Sequence, residues 1–256
     1  MTNPNELKTI KMKETIAVWF SCGAASAVAA KKTIEKYGKT HNVIIVNNPV
    51  VNEHEDNLRF LKDCELWFNQ KVISATNSKF PSCDIRDVFE KAKYISGVAG
   101  APCTKELKKG ARYEFEKNNK IDWHVLGFTV DEKNRSDRFM KFERENLIPI
   151  LIDENLTKGN CFDILLGEGI ELPEIYKLGF PNANCIGCVK SQSPTYWNLV
   201  REKFPKVFLD RAEQSRRIGA RLVKRKGERI FLDELLPTDK GGKIKSWECG
   251  IFCDTK

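Results

Sequence analysis

Residues 16–20, Ile-Ala-Val-Trp-Phe, form an apolar run that stops at Ser21-Cys22-Gly23-Ala24-Ala25-Ser26, after which an Ala-rich helical pattern runs over residues 27–37. No other pattern in the chain constrains the fold as strongly. The run predicts a buried strand, and the residues after it predict a helix reached through a loop of small side chains. That arrangement builds an anion site. Backbone N–H groups at a helix start point outward, and the dipole favours negative charge there. Small side chains let a phosphate or sulfate approach the backbone closely. Without a ligand the same stretch is a tight strand-to-helix turn, so the rest of the chain has to choose between the two.

The pattern continues in alternation. Residues 42–47 predict a second buried strand ending at Asn47 and Asn48, and strand–helix–strand argues for a right-handed crossover and a parallel sheet. In such sheets ligands sit beyond the carboxyl ends of the strands, where both residues 21–26 and Asn47 fall. Residues 53–70 predict an amphipathic helix with Leu58, Leu61, Cys64, Leu66 and Phe68 on its apolar face. Further strands are expected at 72–74, 123–128 and 147–152. Helices are expected at 85–94 and 104–118, and a polar loop at 131–138. Beyond residue 155 the pattern is mainly helical, at 160–167, 170–178, 195–204 and 208–226, with a short strand at 229–233 and a Gly- and Lys-rich tail. The expected organisation is a lead-in over 1–14, a mostly parallel α/β core with helices on both faces over 15–155, and a helical, Cys-containing part over 156–256.

Composition narrows the function classes. No apolar run approaches the ~18 residues that a membrane span needs. Residues 1–14 lack the apolar centre of a secretion signal, and a cytoplasmic location is the expectation. The net charge of +8 suits a polyanionic partner or small anionic substrates.

Nine cysteines in a chain of this kind point to metal binding or thiol chemistry, not to a disulfide framework. Cys185-Ile186-Gly187-Cys188 is a C-x-x-C pair in a loop, spaced to share a metal, a cluster or a disulfide. Cys103 opens a helix, a position that lowers thiol pKa. Cys64 and Cys83 read as small core hydrophobes. None of the three histidines, His41, His54 and His124, is spaced to join these cysteines, which favours all-thiolate ligation and leaves zinc and iron–sulfur both open.

Taken together, these stretches resemble the phosphoadenosine phosphosulfate (PAPS) reductase family, within the PP-loop enzymes of the adenine nucleotide alpha hydrolase-like, Rossmann-like group. The likeness runs over about residues 15–253. Residues 21–26 are similar to the family's PP-loop, residues 52–60 to the segment after the second strand, and residues 102–108 to its Cys-plus-basic helix start. Gly127 through Glu132, with Arg135 and Arg138, are similar to its anion-holding loop. Residues 176–180 leading into Cys185 and Cys188 match its cluster segment, and Glu248-Cys249-Gly250-Ile251 its reductase tail.

The resemblance implies adenylyl sulfate or phosphoadenylyl sulfate as substrate, Cys249 as nucleophile beside Glu248, and a thiol donor such as thioredoxin. It implies nucleotide contacts from Ser21, Cys22, Gly23, Ala24, Ala25, Ser26, Asn47, Gly127, Glu132, Arg135 and Arg138. It also implies a 4Fe–4S cluster, with zinc as the alternative, on Cys103, Cys185 and Cys188, and a fourth ligand from Cys161, Cys249 or Cys253. Four departures stand out. Ala25 replaces the Asp of ATP-splitting members, Thr129 an Arg, Phe252 a His, and Pro102 precedes Cys103 where iron–sulfur reductases pair two cysteines. The same resemblance admits an ATP-dependent sulfurtransferase acting on tRNA or DNA, for which Arg216, Arg217, Arg221, Lys224, Arg225, Lys226 and Arg229 supply a basic stretch. A nucleotide-binding protein with a structural zinc is the third reading.

Overall fold

The computed structural model describes residues 13–97, 100–242 and 244. At its centre lies a five-stranded parallel sheet of β1 (Thr15–Trp19), β2 (Asn42–Asn47), β3 (Val72–Ser74), β4 (Trp123–Val125) and β5 (Leu147–Ile148), in the order β3-β2-β1-β4-β5. The period of two along β1 explains its central place. Ile16, Val18 and Phe20 enter one apolar cluster, and Ala17 and Trp19 enter another on the opposite face. Helices α1 (Ala24–Tyr37), α2 (Asn57–Phe68), α6 (Ile150–Asp153) and α7 (Lys158–Gly167) contribute to the first cluster. Helices α4 (Ala111–Asn118) and α5 (Lys133–Phe142) cover the second face with Phe115, Phe139 and Met140.

A third core gathers α3 (Ile85–Ala92), α9 (Pro194–Lys203), α10 (Pro205–Ile218) and the antiparallel hairpin of β6 (Val223–Arg225) and β7 (Glu228–Ile230). It takes in Phe80, Phe89 and Leu107 from the first half of the chain, whereas α7 packs on α1. The first and third clusters thus each draw on residues from both halves of the chain.

Several expected elements differ. The strand at 147–152 stops after Ile148, because Pro149 cannot donate to the ladder, and α6 follows. The helix expected at 53–70 starts at Asn57 and buries Phe60, Cys64 and Phe68 along one stripe. Leu58 and Leu66 face solvent, 67% and 82% exposed. Residues 131–138 are not a loop but a 3-10 turn (Val130–Glu132) running into α5. The helix at 104–118 opens as a π-helical segment (Thr104–Gly110) before α4. Of residues 170–178 only α8 (Glu174–Lys177) is helical, and α10 ends at Ile218, with Gly219 in the left-handed region closing it. Among the described residues no helix is long and apolar enough to cross a membrane.

Within β4, His124 is fully buried. Its Nδ1 accepts from Trp19 Nε1 at 3.1 Å, and its Nε2 lies 3.9 Å from Glu116 Oε1. Glu116 is engaged by Arg144, at 2.5 Å, and by Arg112, at 3.6 Å. Burial, then the Arg144 and Arg112 charges, push the imidazole pKa down to about 3. An unfolded His takes its proton near pH 6.5. Between pH 6.5 and 3 the unfolded chain therefore holds a proton that the folded chain refuses, and stability falls as pH falls through that window. At ~1.4 kcal/mol per unit, the loss from this residue at pH 5 is about 2 kcal/mol. Urea midpoints measured from pH 7 to pH 5 should drop in the wild type and drop less in His124→Gln. Parallel slopes for the two proteins would show that His124 is not the group responsible.

Candidate anion loop and cysteine pocket

The loop expected to bind an anion lies where the topology favours a ligand. The chain leaves β1 and turns to one side, and the crossover to β4 goes to the other, so β1 and β4 flank a switch point. Helix α1 starts there with Gly23 as N-cap and no side-chain cap on its first amides. The loop is internally braced. Ser26 Oγ accepts from Ser21 N at 3.1 Å and donates to Gly23 O at 2.9 Å. Cys22 takes a positive φ of 56° and turns its side chain inward, where Asn47 Nδ2 reaches its Sγ at 3.7 Å and Phe20 O at 2.8 Å. Burial pushes the Cys22 thiol pKa far up, with Glu53 adding to the rise, so this cysteine is an inert part of the frame. Ala25 is buried as well, a place where a carboxylate would need a partner.

Gly127 explains the shape. A Cβ there would stand 2.7 Å from Ser26 N and 2.9 Å from Ala25 C and Ser26 Cα, all backbone. The end of β4 thus presses directly on the first turn of α1. Beyond it, Glu132 Oε1 accepts from Arg135 Nη1 at 2.7 Å, and the Arg135 guanidinium lies 5.1 Å from the Phe128 ring. Arg138 is exposed on α5. Glu132 therefore anchors Arg135, and the residues expected to touch a nucleotide separate into loop amides and an arginine on a carboxylate.

Two features escaped the sequence. Lys108, 4% exposed on the π-helical segment, donates to Asn48 O at 2.9 Å and to Glu53 Oε1 at 3.2 Å, placing a buried cation and carboxylate at the carboxyl edge of β2. The π-helical turn that carries Lys108 is of a kind that gathers at functional sites. Tyr176 of α8 sets its hydroxyl 3.4 Å from Ala24 N, with its ring 5.0 Å from Phe162 and 5.6 Å from Lys158 Nζ.

The cysteines divide between the cores. Cys185 and Cys188 line a small cleft with Ile175, Phe180, Ser191 and Tyr196, and Cys103 packs against the same core. Gly187 makes this turn possible with a positive φ of 70°, and a Cβ there would meet Val207 and Trp197. The buried Tyr196 hydroxyl accepts from Cys188 N at 2.7 Å, and burial raises its pKa. Cys161 lies instead in the core beside α1, and Cys64 and Cys83 are buried as expected. Among the described residues, no three His, Cys, Asp or Glu side chains converge as metal ligands. Glu248, Cys249 and Cys253 lie outside the described residues.

No protein-family model matches the chain, and no curated protein does.

The basic stretch is partly neutralised within the chain. Arg216 is held by Asp233 and Glu234, Arg217 by Glu90, and Arg225 by Asp239. Arg221 stacks on Phe231 at 5.3 Å. These pairs reduce the charge that the face can offer to phosphates.

Gly127→Ala should lower stability by about 1–3 kcal/mol, because the new methyl meets backbone that cannot step aside. Gly167→Ala, at the end of α7 with nothing within 4 Å, should be neutral or slightly stabilising. Urea denaturation of both variants checks the pair, and an unchanged midpoint for Gly127→Ala would refute the close approach.

Proposed function

We propose that the chain is a PP-loop enzyme of sulfur metabolism that reduces a sulfonucleotide, adenylyl sulfate or its 3′-phosphorylated form, to sulfite. The observation that carries this reading is the uncapped first turn of α1, pressed against Gly127 at the switch point of a parallel sheet. The first turn of α1 would offer amide N–H donors to sulfate or phosphate oxygens, with the Tyr176 hydroxyl, which now accepts from Ala24 N at 3.4 Å, giving way to the anion. Lys108, paired with Glu53, places a buried ammonium at the same edge of the sheet. An apolar Ala25 suits a substrate whose anhydride is already activated, since no metal-holding carboxylate stands at that position.

In this reading the Cys249 thiolate attacks the sulfur of the sulfonucleotide. The S–O bond to the nucleotide phosphate breaks, the nucleotide leaves with the electron pair, and the cysteine carries a thiosulfonate. A second thiol then attacks the cysteine sulfur, sulfite departs, and a disulfide forms. The described part of the chain binds and orients the anion and keeps Cys22 out of the chemistry.

Cys103, Cys185 and Cys188 are the residues that would hold a 4Fe–4S or zinc centre, with a fourth ligand from elsewhere. Their all-thiol character suits either one. Such a centre would supply fixed metal charge beside the pocket.

The test is anaerobic incubation with each sulfonucleotide and no reductant, read by intact mass and peptide mapping. The expected result is one sulfonate adduct on Cys249, released as sulfite by added thiol and missing in Cys249→Ser. No adduct with either nucleotide would overturn the reading.

A further inference from the structure

The described chain ends on the cysteine cleft. Thr195, in the first turn of α9, ties down the approach to it. Its Oγ1 donates to Gly241 O at 3.1 Å and accepts from Gly241 N at 2.9 Å. The fit at Gly241 is close, since a Cβ there would stand 2.7 Å from Pro194 Cδ. Ile244 then lines the cleft with Ile175, Phe180, Ile186 and Cys188, and packs against the same core. Residues 245–256 continue from that point and lie outside the described residues.

Two observations suit the cleft to that segment. The first is reach. Trp247 and Cys249 lie about 10 and 17 Å of fully extended chain beyond Ile244. A segment that starts on the cleft closes only a short loop to fill it. It also carries Trp247, Ile251 and Phe252, large apolar side chains that gain by leaving water. The second is an unmet polar group. Ser191 is 1% exposed and lines the cleft, and its Oγ has no hydrogen-bond partner among the described residues. Its backbone is already used, since its N–H donates to Cys188 O at 3.1 Å and its carbonyl accepts from Trp197 Nε1 at 2.9 Å. A buried hydroxyl left unpaired is costly, and a peptide group laid in the cleft would pair it.

We propose that residues 245–256 dock in this cleft, with Trp247 seated beside Ile244 and a backbone group of the segment paired to Ser191 Oγ, so that the segment covers Cys188. Ile175 in the cleft wall is followed by Tyr176, whose hydroxyl meets Ala24 N, so the seat lies next to the anion loop. The proposal goes beyond the sulfonucleotide reading and stands on where the chain ends, not on that chemistry.

The experiment reads the rate at which iodoacetamide alkylates Cys188, by peptide mapping, in protein stripped of metal with a chelator. It compares the full chain, a chain ended after Ile244, Trp247→Ala and Ser191→Ala, with each fold checked by far-ultraviolet circular dichroism. Cys188 should react about tenfold or more slowly in the full chain than in the shortened chain or Trp247→Ala, as expected for a group reached only by local opening. A synthetic peptide of residues 245–256, added to the shortened chain, should restore the protection saturably. Ser191→Ala should lose about fivefold of it, the effect of one hydrogen bond. Should the shortened chain not fold, Trp247→Glu takes its place. Equal rates in the full and shortened chains overturn the proposal. Protection that grows with protein concentration overturns it too, because a second copy would then be the occupant. Trp247→Ala behaving as wild type removes Trp247 from the seat and overturns the proposal as stated. Failure of Cys249 to form a sulfonate adduct would leave these rates unchanged, so the two readings fail separately.

Discussion

Much of this fold depends on one close approach, that of Gly127 to the backbone of Ala25 and Ser26. Parallel neighbours β1 and β4 bring their carboxyl ends side by side, and only a residue without a Cβ lets the second strand end against the helix that follows the first. The contact fixes where α1 begins. The N-cap residue offers no side-chain cap, and the first amide, that of Ala24, donates instead to the Tyr176 hydroxyl at 3.4 Å. The Ser21–Ser26 brace and the inward turn of Cys22 hold the loop from its other side.

Around that frame the chain buries charge selectively. Lys108 and Glu53 form a close pair on an edge where the backbone also accepts, so the desolvation of each is offset locally. Arg112, Glu116 and Arg144 make a second buried network under the sheet, with His124 kept neutral by burial and by two guanidiniums. Arg211 differs from both, because its partners are the Gln214 side-chain oxygen and the Phe89 ring rather than a carboxylate. Three buried cations, two on carboxylates and one on an amide and an aromatic ring, are hard to explain by packing alone, since apolar side chains of similar volume would cost less.

The sequence was most legible where local pattern and burial coincide. β1, the loop and α1 read correctly because alternation in the strand and small residues in the loop are local properties, and the parallel sheet followed from them. The C-x-x-C turn read correctly because Gly187 is required by its backbone. The phase of α2 did not. Leu58 and Leu66 look like core residues, but contacts with α1 and the sheet select the stripe through Phe60, Cys64 and Phe68. Residues 131–138 looked like a loop because they are polar, yet one buried stripe of Ser136 and Phe139 suffices for a helix on the sheet. Lys108, Tyr176 and Arg211 were hidden because a buried charge or hydroxyl is defined by what surrounds it in space, and their neighbours are distant in the chain.

That separation also explains how the two chemistries come to lie together. Residues 80–107 pack with residues 175–235 around the cysteines, while α7, from beyond residue 155, packs back on α1. The chain crosses between the cores more than once, and Tyr176 touches both of them. Its hydroxyl rests at the first amide of the loop, and α8, which carries it, leads through Phe180 to Cys185. Lys158, beside that ring, holds Pro181 O and Asn182 Oδ1 in the same segment. Tyr176 and Lys158 thus link the loop at the start of α1 to the segment that carries Cys185 through direct contacts rather than through the sheet.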